Sequence, residues 1–177
     1  MLPPRPAALT LLEPTPALRL SYLSLASECL ASGEVRSYHE KALQDYDAFL
    51  NEIAAHMLGE GLPPGFVPYD SFCLVRNGID VLGESRLRHR LSDTLLIEGG
   101  HIGYMIRPSE RRKGYGAQIL ALTLEKARLR GLTRLLVTCD TSNIASARII
   151  EKNGGILENY ALSPQHGVQV SRYWIEL

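Results

Sequence analysis

Apolar residues recur along the chain at two different periods, and the switches between them divide it into elements. Ala7–Leu12 is a short apolar run closed by Pro14 and Pro16, which predicts a first strand, and Ala17–Ala31 then repeats leucine at helical spacing until Gly33. From Tyr38 to Leu58, Leu43, Tyr46, Leu50, Ile53 and Met57 share one helical stripe that stops at Gly59, before a breaker cluster of Gly61, Pro63, Pro64 and Gly65. One long second helix is predicted there. Ser71–Leu91 is rich in β-branched and aromatic residues around Asn77-Gly78, a strong hairpin signal, and reads as two antiparallel strands. His101–Ile106 predicts a strand, Gly114–Arg130 a helix closed by Gly131, and Arg134–Cys139 a buried strand. Asn143–Asn153 predicts a short helix ended by Gly154, and Ile156–Leu162 and Val168–Ile175 two last strands. The order β α α β β β α β α β β places the chain in the α/β class.

Composition narrows the picture without changing it. The 177 residues are 45% hydrophobic and 21% charged, which suits one folded domain spanning 1–177 with a single sizeable core. Nineteen basic residues balance nineteen acidic ones, so no global field attracts nucleic acid or an anionic membrane, and neither is expected as a partner. Cys29, Cys73 and Cys139 are far apart and never at a zinc spacing, so a reduced, metal-free, cytoplasmic protein is expected. Met1–Pro6 carries three prolines and an arginine where a secretory leader needs an apolar run, and no apolar stretch approaches the roughly 18 residues of a membrane span.

The informative stretch is Ile106–Ala117, IRPSERRKGYGA, between a strand and a helix. Glycines at 114 and 116 let backbone approach a ligand, and the first amides of the following helix have no internal acceptor, which makes an anion site. Arg111, Arg112 and Lys113 add charge beside it, and Arg107–Arg134 holds eight basic residues against two acidic ones. The P-loop pattern is not met, because the lysine precedes the glycine and no Ser or Thr follows, which weighs against a nucleotide triphosphatase. A dinucleotide fingerprint is the nearer rival, with Asp140 ending the next strand. It lacks its third glycine, having Ile119 there, and only one βαβ unit is visible, which weighs against a nucleotide-binding oxidoreductase.

Arg111-x-x-Gly114-x-Gly116 after a strand, together with CDTSNIASARIIEKNGG from Cys139 to Gly155, resembles the two cofactor motifs of the GCN5-related N-acetyltransferases (GNAT). The resemblance implies a mixed, mostly antiparallel central sheet flanked by helices, with acetyl-CoA as cosubstrate in a cleft between two parallel central strands and no metal. It also implies direct transfer of the acetyl group to an amine. The pyrophosphate is expected on the amides of Arg112, Lys113, Gly114, Tyr115, Gly116 and Ala117, with Arg111 opening the motif. The pantetheine arm is expected along the strand of Tyr104 and Ile106, with Asn143 and Ser146 reaching it from the second motif. Transfer to an amine needs a base, and His101 and Glu98 are the candidates. The imidazole has the better intrinsic pKa, about 6.5 against 4.3. A main-chain amide near Tyr104 would meet the oxyanion. The family's usual tyrosine acid is here Ile150, with Tyr104, Tyr160 and Tyr173 as substitutes; the gap also admits a non-catalytic acyl-CoA sensor. The acceptor, whether polyamine, amino acid, aminoglycoside or protein amine, is not specified, and the family's habits allow a homodimer through the terminal strands.

Other polar features have plain structural readings. Arg86, Arg88 and Arg90 alternate with Glu84 and mark a solvated or partly covered sheet face, although such a face could attract an acidic substrate. Tyr38, Tyr46 and Phe49 suit a core, Asn143 a helix cap, and Cys139 a buried strand.

Overall fold

The computed structural model describes residues 8–164 and 166–177; the segment Met1–Pro6 and the predicted strand onset at Ala7 lie outside the described residues. The chain runs β1 (Leu9–Leu12), a 3-10 turn (Pro16–Leu18), α1 (Arg19–Ala31), α2 (Ser37–Gln44), α3 (Tyr46–Leu58), β2 (Tyr69–Arg76) and β3 (Asp80–Arg88). It continues through α4 (Asp93–Ile97), β4 (Ile102–Ile106), a 3-10 turn (Pro108–Glu110), α5 (Tyr115–Leu129), β5 (Arg134–Asp140), α6 (Ile144–Lys152), β6 (Ile156–Leu162) and β7 (Gln169–Glu176). No described helix is long and apolar enough to cross a membrane.

Two elements differ from the sequence pattern. The predicted helix Tyr38–Leu58 is broken at Asp45, whose extended backbone (φ −152°, ψ 101°) starts a new helix. Its carboxylate accepts from the amides of Asp47 and Ala48 at 3.0 and 2.9 Å, an N-cap that the unbroken apolar stripe conceals. Helix α4 was not predicted. It is five residues long, begins at a Ser92 cap and buries no side chain, so it leaves no periodic signature.

The expected central sheet is divided. Strands β1-β2-β3-β4 form one antiparallel sheet and β5-β7-β6 another, so β4 and β5 are both edge strands. They are joined where the His101 amide donates to the Leu136 carbonyl at 2.7 Å, and no strand ladder continues beyond that point. Asn77 and Gly78 take φ of 53° and 79°, the left-handed pair that a tight β2–β3 turn requires. Beyond it a register shift opposite Leu74/Val75 bends β3.

One face of the first sheet packs on α5 and α6 through Leu82, Leu87, Ile102, Ile119, Leu120 and Ile150. The other face is covered by α1–α3 through Tyr22, Leu25, Phe49, Cys73 and Val81. Glu84, Arg86 and Arg88, alternating along β3, turn to this second side, and the helices cover it only in part. The uncovered remainder opens into a cleft.

Candidate active site

The loop after β4 winds through two left-handed residues and leads into α5. Arg112 (φ 61°) and Gly114 (φ 85°) are left-handed, and Gly114 is the cap of α5. This winding turns the amides of residues 112–117 outward, and among the described residues no carbonyl or side chain accepts from them. A side chain added at Gly114 would meet open space. Gly116 does different work from that expected: a Cβ there would lie 2.6 Å from the Ile149 side chain, so its bareness lets α5 and α6 close together.

The three basic side chains are not equivalent. Arg111 is committed to Glu34 through two hydrogen bonds of 2.8 and 2.6 Å, and its Nε donates to the Ile106 carbonyl at 3.0 Å. Lys113 pairs with Glu110 at 2.9 Å. Arg111 therefore fastens the loop to the α1–α2 connection and ties up a β4 carbonyl, while the amides of residues 112–117 are left without acceptors among the described residues.

Beyond the His101–Leu136 contact, the C-terminal halves of β4 and β5 border a cleft of about 670 Å³, lined by Tyr104 and Met105 on one side and Thr138, Cys139 and Asp140 on the other. Two strand edges without partners face each other there, a slot suited to a ligand with amide groups of its own. Asn143 caps α6 by accepting from the Ser146 amide at 3.0 Å and also lines the cleft. Tyr104 and Ser146 both line the cleft, with the Tyr104 hydroxyl 2.9 Å from Ser146 Oγ.

A family model for the GNAT acetyltransferase domain matches residues 17–156 of this sequence. The chain belongs to the GNAT acetyltransferase family. Acetyl-CoA is the cosubstrate of that family, and among the described residues no side-chain cluster could hold a metal. Solved structures support the fold. The acetyltransferase yncA of Salmonella typhimurium with acetyl-CoA superposes with a TM-score of 0.61 at 16% identity, covering 96% of this chain and 94% of that one. The microcin C7 self-immunity acetyltransferase MccE, in complex with acetyl-CoA and AMP, gives a TM-score of 0.70 at 14% identity, covering 96% and 92%. A Salmonella typhimurium acetyltransferase that modifies the N-terminal serine of ribosomal protein L7/L12 gives 0.67 at 16%, covering 96% and 95%. No curated protein matches the sequence.

Within this GNAT chain the two candidate bases separate. His101 is buried at the strand junction and does not line the cleft. Its Nδ1 accepts from the Leu136 amide at 2.9 Å, so the neutral ring carries its proton on Nε2 and has no free basic nitrogen. Burial, then the Arg88 charge, push its pKa down to about 4. The expectation that His101 is the base is therefore corrected: the imidazole fastens β4 to β5. Glu98 is the C-cap of α4, lines the cleft, and is anchored by the Ser163 hydroxyl, with His166 Nε2 at 3.8 Å from its other oxygen.

The His101 assignment predicts acid lability. Its folded pKa lies below the unfolded value, so the unfolded state binds more protons as the pH falls from about 6.5 towards 4. Stability is fully present above that window and should fall by roughly 2–3 kcal/mol across it. Urea unfolding at pH 7, 5.5 and 4.5 reads this out. His101→Asn, whose side-chain oxygen can replace Nδ1 as acceptor, should show a shallower loss; an equal slope in both proteins would show that His101 is not responsible.

The tyrosines also separate. Ile150 is fully buried between α6 and the sheets, so that position faces the core here. Tyr160 is exposed and the Tyr173 hydroxyl donates to Glu151 at 3.3 Å, whereas Tyr104 lines the cleft. Burial pushes the Tyr104 phenol up to about 12, offset in part by the Ser146 hydrogen bond.

The feature most underestimated by sequence lies on β3. Glu84, Arg86 and Arg88 line the cleft together with Tyr38 of α2, so of the two expected settings, solvated or partly covered, the partly covered one is found. Glu84 accepts from Tyr22 at 2.9 Å, from Tyr38, and contacts His39 Nε2 at 3.0 Å. Burial raises its pKa, but the His39 and Tyr38 hydrogen bonds outweigh that and hold it below the usual carboxylate range. Arg88 is gripped by the carbonyls of Gly99 and Gly100 at 3.0 Å each. Alternation alone identified the shared face; what covers it was set by the distant helices.

Proposed function

We propose that this protein is an N-acetyltransferase that moves the acetyl group of acetyl-CoA directly onto a primary amine. The observation that carries the reading is the pairing of two features, the six unpartnered amides of residues 112–117 and the open slot between β4 and β5. They lie on consecutive segments and suit the two ends of one ligand, a phosphate group and an amide-bearing arm. Acetyl-CoA supplies the activated thioester; the chain's own residues position the partners and handle the protons.

In this reading Glu98 takes the proton from the amine, directly or through a water, while Ser163 holds its carboxylate in place. Tyr104 stays protonated across the working range and donates a hydrogen bond towards the departing sulfur. A thiol with an ordinary pKa near 8.5 leaves as an anion, so a hydrogen bond suffices where a full proton transfer from this phenol would be uphill. The rival oxidoreductase reading needs a sheet of neighbouring parallel strands, whereas every strand ladder among the described residues is antiparallel.

Thermal unfolding with acetyl-CoA, NADH and ATP in parallel tests the cosubstrate. Acetyl-CoA at a hundred times its Kd should add about 2.7 kcal/mol, a rise in Tm of several degrees, with no rise from the other two. Thiol release in the presence of amines then separates an enzyme from a sensor. Gly114→Val should weaken acetyl-CoA binding by about tenfold or more in calorimetry, since the branched side chain would project into the space before the amides. The left-handed backbone adds a strain of about 1–2 kcal/mol, so the variant should fold with a modestly lower Tm. Unchanged affinity would remove the phosphate assignment.

A further inference from the structure

The reading above leaves the acceptor open, and the inner wall of the cleft bears on it. Arg86 packs over two aromatic rings, its guanidinium carbon 3.6 Å from the Tyr38 ring centre and 5.0 Å from that of Tyr69. Such stacking holds the plane of the guanidinium while leaving its edge N–H groups available. Among the described residues no hydrogen bond or ion pair engages that edge: Glu84, its neighbour on the same strand face, is occupied by Tyr22, Tyr38 and His39. Arg88 follows two residues on, bound only to main-chain carbonyls, and Arg36 borders the same end of the cleft.

Glu84 is close enough to feel the Arg86 charge but hydrogen-bonds elsewhere, so two partly buried guanidinium groups stand side by side with no carboxylate hydrogen-bonded to either, an arrangement that is costly unless a ligand completes it. Their proximity is felt: burial, then the Arg86 charge, bring the Arg88 pKa down to about 10. The other cleft carboxylates lie elsewhere, Asp140 at the end of β5 and Glu98 anchored to Ser163. The basic corner therefore sits on the β3 and α2 side, apart from the loop amides assigned to phosphate.

We propose that the acceptor is an amine that also carries a carboxylate, and that the edge of the Arg86 guanidinium binds this carboxylate while Glu98 receives the amine. This rests on the acetyl-transfer reading. A planar carboxylate matches the fork of an arginine in a way that a polyamine or aminoglycoside cannot. Two sources share the chemistry, a free amino acid and the free amino terminus of an acidic peptide.

Thiol release from acetyl-CoA tests it with matched acceptors: L-serine against L-serinamide, the peptide amide Ser-Glu-Glu against Ser-Gln-Gln, then spermidine and phosphoethanolamine. The carboxylate member of at least one pair should be preferred by about tenfold or more in kcat/KM, and which pair responds tells the amino acid from the peptide. Arg86→Gln should cut kcat/KM by about 10- to 100-fold on that acceptor and erase its advantage over the neutral partner. Arg86→Lys, which keeps the charge but not the fork, should retain part of it. An unaltered rise in Tm with acetyl-CoA shows that a variant is folded. Equal use of neutral acceptors, preference for spermidine or phosphoethanolamine, or discrimination that survives Arg86→Gln overturns the inference and leaves acetyl transfer standing. No thiol from any acceptor overturns both.

Discussion

Glu98→Gln is expected to lower kcat/KM for acetyl transfer at neutral pH by about 10²- to 10⁴-fold, the range over which general bases act. The amide has the shape of the carboxylate and can still accept from the Ser163 hydroxyl, so the end of α4 and the β6–β7 connection should keep their arrangement. What is lost is the capacity to take a proton. The KM for acetyl-CoA should change little, because the loop amides and the slot between β4 and β5 are untouched. The pH profile adds a signature that a structural defect would not give. Amine acceptors are mostly protonated at neutral pH, and as the medium itself removes that proton the need for a base disappears. The variant's rate should therefore climb with pH towards that of the parent near the acceptor's own pKa. Initial rates from thiol release between pH 6.5 and 9.5 decide it. A variant as active as the parent at pH 7 would exclude Glu98 as base.

The contrast between Glu98 and His101 shows what can be read from residue types. The anion loop and the α6 start were legible because they are local: a run of amides, a left-handed glycine and an Asn cap need no distant partner to form. The choice of base was not. The imidazole is preferable on intrinsic pKa, but burial and then the charge of Arg88 on the neighbouring strand push that pKa down, and an amide 35 residues further along occupies its Nδ1. Alternation places Glu84, Arg86 and Arg88 on one strand face, solvated or partly covered, and does not choose between the two because α2 and the aromatic rings that partly cover that face arrive from elsewhere in the chain. The break at Asp45 follows the same rule in reverse. A local cap overrode a stripe that ran through it without interruption.

Gly100→Ala is expected to be strongly destabilising for a single methyl group, costing about 4 kcal/mol or more. The added Cβ would lie 2.3 Å from the Leu136 carbonyl oxygen and 2.9 Å from its carbon, and both are backbone atoms of a buried strand that cannot step aside. The residue also holds φ at +57°, which alone disfavours alanine by about 1–2 kcal/mol. Relief of the clash requires β4 to move off β5. That movement breaks the two His101–Leu136 hydrogen bonds, and it strains the contacts of Gly100 with Leu95 and Arg88. Each such bond contributes about 1 kcal/mol, and a buried group left without a partner costs more. For a chain of this size the loss corresponds to a fall in Tm of about 10 °C. Gly131→Ala is the control, since Gly131 has a similar left-handed φ of +83° but open space where its Cβ would stand. It should lose only the backbone term. Because the slot opens from the Gly100–His101 junction, any Gly100→Ala protein that still folds should bind acetyl-CoA more weakly, whereas Gly131→Ala should bind as the parent does. Equal losses of stability in the two variants would show that the junction yields, and that the β4–β5 opening is set elsewhere.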